Sequence, residues 1–119
     1  MKYKFFSQWD FDNASPVCSI TDMDGAFMKR IDKAREAAGV PFFINSAYRT
    51  VEHEISRGRC GASSHTRGVA LDIRAADSRT RFLILKALID AGFTRIGIHS
   101  RFIHVDADSS KDSQVVWKY

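Results

Sequence analysis

His65-Thr-Arg-Gly68-Val-Ala70-Leu-Asp72 places an imidazole and a carboxylate on either side of a glycine, and His104-Val-Asp106 brings a second imidazole and another carboxylate further along the chain. Two imidazoles and one carboxylate make a three-ligand set for zinc and leave a fourth position open to water, which is the mark of a catalytic rather than a structural site. The chemistry that follows is hydrolytic.

The residues between these groups say how they are held. In Val69-Ala-Leu-Asp-Ile73 the side chains of a strand alternate, so Ala70 and Asp72 share one face while Val69, Leu71 and Ile73 share the other. A small residue at position 70 leaves room for an ion beside the carboxylate. Phe102-Ile-His-Val-Asp106 repeats the pattern, with His104 and Asp106 on one face and Ile103 and Val105 on the other. A buried polar group without a partner costs about 1–3 kcal/mol, so a polar face on a core strand needs a reason. For the second strand alone, a His–Asp hydrogen bond closing the core is reason enough. Two such strands together favour a metal. Cys60, close before His65, is an alternative thiolate ligand, whereas free thiols are the default for Cys18 and Cys60 in a chain without a secretory signal.

The elements that carry these groups can be read in outline. A first helix is predicted from a cap at Thr21 to a stop at Gly39 and Pro41, with Phe27, Ile31, Ala34 and Ala38 on its core face. Val40–Asn45 is predicted to be a strand, and a few helical turns carrying Glu52, His53 and Glu54 on an exposed face follow Thr50. Val69–Ile73 is the next strand. A second long helix is expected from Asp77 or Ser78 to Gly92, with Phe82, Leu85, Leu88 and Ile89 inward. Strands over Thr94–Ile98 and Phe102–Ala107 and a packed tail at Val115-Val-Trp117 complete the order. Residues 1–20 are expected to be irregular and to cover the core through Phe5, Phe6, Trp9 and Phe11. This order predicts an α+β fold, a small and mainly antiparallel sheet with the helices grouped on one side.

With 119 residues, of which 45% are hydrophobic and 12% aromatic, the chain has the size and composition of one globular domain over 1–119. No apolar run is long enough to span a bilayer, and the basic N-terminus has no apolar stretch behind it, so neither membrane insertion nor a secretory signal is expected. The chain is thus expected to be made in the cytoplasm and to act elsewhere only after release or delivery. The net charge of +4 favours anionic partners such as acidic wall polymers, or else reflects plain solubility. There is no run of basic residues and no basic stripe interleaved with aromatics, so nucleic acid is not an expected partner.

The motifs resemble those of the M15 zinc metallopeptidases, the D,D-carboxypeptidases and L-alanyl-D-glutamate endopeptidases of peptidoglycan. Their S-x-H-x-x-G-x-A-x-D pattern is matched by Ser63, His65, Gly68, Ala70 and Asp72, and their later H-x-D by His104 and Asp106. Ser46-Ala-Tyr-Arg-Thr50 is similar to the family's S-x-Y-R-[ST] segment, and Gly97 to Asp106 to the closing stretch of small phage and bacterial members. The resemblance implies that His65, Asp72 and His104 ligate zinc, on a fold shared with the hedgehog signalling domain. It also implies a peptidoglycan peptide as substrate, cut at the cell wall or in the periplasm by a monomer of the small endolysin type.

Roles beyond the ligands are open at this level. Many relatives place an acidic base three residues before the second histidine ligand, and here that residue is Arg101. Asp106 is then the first candidate for the base, with orientation of His104 as its alternative role. His99 is the second candidate, as a base or a transition-state donor. Arg49 corresponds to a family arginine beside the metal, where a guanidinium stabilises an oxyanion or grips a substrate carboxylate. Ser63 shapes the loop before His65 or bonds the substrate, and Arg57, Arg59 and Arg67 form a basic rim. The competing function is a zinc-containing binding module on the same fold that does not hydrolyse.

Overall fold

Polar and apolar residues alternate along two neighbouring strands, and the rest of the chain is arranged around that pair. The computed structural model describes residues 3–59, 61 and 63–119; the thiol of Cys60, a candidate ligand from the sequence, lies outside the described residues. Helices α1 (Gln8–Asp12), α2 (Gly25–Ala38), α3 (Val51–Ser56) and α4 (Ser78–Asp90) accompany strands β1 (Ile44–Ser46), β2 (Ala70–Arg74), β3 (Arg95–Ile98), β4 (Phe102–Asp106) and β5 (Val115–Lys118). The strands form one sheet in the order β1-β2-β4-β3-β5. All neighbours are antiparallel except β3 and β5, which run parallel. This is the α+β architecture expected from the element order.

The β2–β4 register sets Leu71 opposite Val105 and Ile73 opposite Ile103 on the apolar face, and Ala70 opposite Asp106 and Asp72 opposite His104 on the polar one. The four apolar side chains are fully buried and join Phe27, Met28 and Ile31 of α2 and Ile84 and Leu88 of α4 in one core. Helices α2 and α4 pack on each other, and α4 packs on β4. Helices α2 and α4 therefore cover one face of the sheet and leave the polar face to the cleft. Among the described residues no helix is long and apolar enough to cross a membrane.

Several local expectations shift. Helix α2 is capped by Asp24, whose carboxylate accepts the Phe27 N–H at 2.9 Å, while Thr21 belongs to a separate 3-10 turn at Ile20–Asp22. An acid closer to the apolar stripe offers the better cap, because it bonds an N–H within the first turn. In α4 the buried stripe is Ile84, Ala87 and Leu88, and Phe82 and Ile89 face outward. The helix has more apolar residues than one face holds, and the small side chain of Ala87 suits the close approach of α2. At the N-terminus Phe6 and Phe11 enter the core as expected, whereas Trp9 is exposed. The strand expected from Val40 is shorter and begins at Ile44.

Candidate metal centre

His65 sits in a 3-10 turn, Ser64–Arg67, whose cap is Ser63: its hydroxyl accepts the His65 N–H at 3.1 Å. Gly68 ends the turn at φ 70°, and a Cβ there would lie 2.5 Å from the Asp22 carbonyl oxygen, so the position requires glycine. The chain can then reverse directly into β2, which brings Asp72 back beside His65. From the other side the antiparallel register delivers His104 opposite Asp72.

The rings have a defined orientation. His65 Nδ1 lies 2.7 Å from the Ala47 carbonyl oxygen. A carbonyl only accepts, so Nδ1 carries the hydrogen, and in the neutral ring Nε2 carries the lone pair. That Nε2 is 3.4 Å from Asp72 Oδ1. His104 is arranged the other way round: Nε2 donates to Asp106 Oδ2 at 2.7 Å, and Nδ1 lies 2.9 Å from the same Asp72 Oδ1. Ligand atoms of His65, Asp72 and His104 all lie within 4.8 Å of one another. Both histidines and Asp106 are buried. Two imidazole lone pairs aimed at one carboxylate oxygen repel unless a cation sits among them, so the donor set fits a divalent metal of the zinc type.

The titration behaviour points the same way. Burial pushes the Asp72 carboxyl up, but hydrogen bonds with His104 and His65 outweigh it and hold it well below the usual range. Burial pulls His104 down, yet its bonds to Asp106 and Asp72 win and raise it. The cluster thus favours positive charge at its centre.

Asp106 is fully engaged. Burial raises its carboxyl, but the hydrogen bond from His104, the Asp108 N–H and Arg95 together lower it. Arg95 Nε donates to Oδ1 at 2.7 Å, and the Asp108 N–H donates to the same oxygen at 3.1 Å. The Arg95 guanidinium also lies 5.2 Å over the Trp117 ring, which packs 5.4 Å from His104. Asp108, itself buried, accepts from Ser64 Oγ at 2.7 Å and Arg67 Nη1 at 2.6 Å. It ties the turn that carries His65 to the segment after β4.

The cluster lies in a cleft of about 430 Å³. Cationic side chains of Arg49, Arg59, Arg95 and Lys111 line it, together with an aromatic wall of Phe102, Trp117 and Tyr119. Arg49 is held there by main chain and side chain: its N–H donates to the His65 carbonyl at 3.2 Å and its Nη1 to Ser46 Oγ at 3.2 Å.

Of the residues singled out in the sequence, His65, Asp72, His104, Asp106, Arg49 and Ser63 come together in this cleft. His99 lies in the β3–β4 turn, stacked on Phe102 at 4.4 Å, with its Nδ1 accepting the Arg101 N–H, and does not line the cleft. Arg101 is exposed and lines a different concavity with Asn45, Arg74, Ala76 and Ser100. Glu54, expected on a solvent face, is fully buried. Sequence reasoning missed Arg95, Lys111, Trp117 and Tyr119. Arg95 carried a signal, because alternation in Arg95-Ile-Gly-Ile98 puts it and Gly97 on the polar face, and Gly97 pairs with His104. The model of a family described as Peptidase M15 matches residues 10–106, which include every member of the cluster. No curated protein matches the chain.

Proposed function

The chain belongs to the M15 peptidase family, whose members are zinc peptidases, and from that premise we propose that it is a zinc-dependent peptidase acting on the peptide stems or cross-links of peptidoglycan. The observation that carries this reading is the convergence of His65 Nε2, Asp72 Oδ1 and His104 Nδ1 at the cleft, with the two rings held through their other nitrogens by the Ala47 carbonyl and Asp106. These three residues would hold the metal. A bound zinc supplies Lewis acidity and lowers the pKa of a coordinated water to about 7.

The chain's own groups do the rest. Arg49, anchored beside His65, offers N–H donors to the oxyanion that develops at the scissile carbonyl or to a carboxylate of the substrate. Asp106 holds the His104 ring in the orientation that presents Nδ1. That role suits it better than proton abstraction, since His104, Arg95 and the Asp108 N–H already occupy both of its oxygens. His99 supports the aromatic wall through Phe102. A basic cleft with an aromatic side suits an extended acidic peptide, and the wall peptides of bacteria are of that kind. Delivery by a phage-type lysis system is the setting we propose.

Purified peptidoglycan digested with the protein and examined by mass spectrometry tests the reading. We expect new peptide termini that disappear with a chelator, return with zinc and are absent for His65→Ala. Zinc retained by the protein with no new termini would instead identify a binding module on the same fold.

A further inference from the structure

Glu54 is a buried carboxylate that the hydrolytic site leaves without a task. It sits in α3 at the third position from the helix end, and its side chain is fully buried. The helix closes with a Schellman motif: the Gly58 N–H bonds the Ile55 carbonyl at 2.9 Å and the Arg59 N–H bonds the Glu54 carbonyl at 2.9 Å. Gly58 permits this reversal with φ 76°. The motif usually brings two apolar side chains together at these positions. Here it brings Glu54 and Arg59 together, and Arg59 Nη1 donates to Glu54 Oε2 at 2.8 Å. The same Oε2 lies 3.4 Å from Arg49 Nε.

One buried anion is therefore shared by two guanidiniums, and both line the cleft. A carboxylate taken fully out of water is costly unless it is paired. That requirement fixes the two arginines to it, and each guanidinium has five N–H donors, more than Glu54 consumes. Arg49 Nη1 spends one on Ser46 Oγ. Both guanidiniums line the cleft with donors to spare, and two forks pre-set by one counterion suit the planar geometry of a carboxylate.

We propose that Glu54 is a positioning residue that holds Arg49 and Arg59 as a two-guanidinium grip for a substrate carboxylate at the α3 end of the cleft. The proposal rests on the peptidase reading for the identity of the substrate, but the grip itself binds a small carboxylate whether or not a peptide is cut. Glu54 acts only through the arginines, so its loss weakens binding and leaves the metal in place.

Succinate titrated into the zinc-loaded protein, with the arginine Nε–H signals followed by NMR, tests this directly. The signals of Arg49 and Arg59 are expected to shift on binding in the wild type. Glu54→Gln, which keeps the shape and removes the charge, is expected to weaken binding at those two signals about tenfold or more, with zinc content unchanged, and Glu54→Asp to restore part of it. If Glu54→Gln does not fold, Arg59→Gln at the half-exposed partner is expected to weaken succinate by a similar factor. No shift of these signals in the wild type, or equal binding by the wild type and the folded variant, would overturn the proposal. Succinate binding that depends on Glu54 in a protein that releases no wall peptide would leave the grip standing and remove the peptidase reading.

Discussion

Strands β2 and β4 have two faces built from the same ten residues, and the two faces have opposite physical characters. On the helix-covered side, Leu71, Ile73, Ile103 and Val105 are fully buried in a core shared with α2 and α4. On the cleft side, Asp72, His104 and Asp106 form a chain of hydrogen bonds around a point where two imidazole nitrogens meet a carboxylate. Burial drives the first face together without directional demands. The second is assembled at a cost in desolvation that only partners repay. The comparison shows that the apolar face supplies the rigidity and the polar face uses it: residues one apart in sequence differ in whether they stabilise the fold or set the chemistry.

Substitutions that touch one face at a time can break that division. The largest effect is expected on the cleft face from Asp72→Ala: zinc falls from one per chain to none and peptide hydrolysis to background, while the metal-free variant still unfolds in one cooperative transition because its apolar core is untouched. Elemental analysis and calorimetry on the same samples check both halves. On the core face, Leu71→Ala is expected to cost about 2–5 kcal/mol in urea unfolding, yet to keep its zinc wherever the variant is folded. Loss of zinc from folded Leu71→Ala would show that the faces are not separable. Asp106→Asn sits between the two, keeping the ligands but weakening the group that orients His104. Competition with a chelator should show zinc affinity lowered by roughly 10–100-fold. Arg101→Ala is expected to do least, within about 0.5 kcal/mol in stability and with unchanged hydrolysis, because Arg101 faces away from the cleft.

The same contrast explains what could be read from the sequence. Strand alternation is local, so the polar and apolar faces of β2 and β4 were visible in Val69–Ile73 and Phe102–Asp106. The glycine that lets His65 and Asp72 meet was visible too, although the reason for it, a clash with the Asp22 carbonyl, is tertiary. Partners from distant segments were not legible. Arg95 and the Asp108 N–H decide what Asp106 can do, and their reach depends on how β3 and the segment after β4 fold over the site. Glu54 looked like one of several charges on a short helix, and only the Schellman turn with the placement of Arg49 makes it buried and paired. Half of the α4 face was legible: Leu88 is buried and Leu85 packs on the core, whereas Phe82 and Ile89 face outward because the helix has more apolar residues than its packing on α2 can cover.

The proposed metal geometry is a zinc ion held by His65 through Nε2, by Asp72 and by His104 through Nδ1, with Ala47 and Asp106 fixing the two rings. A crystal structure of the zinc-loaded protein with anomalous scattering recorded at the zinc edge tests it most directly. One strong peak is expected within about 2.0–2.2 Å of those three ligand atoms, with a fourth position turned to the cleft. A peak elsewhere, or coordination through the opposite nitrogen of either ring, would contradict it.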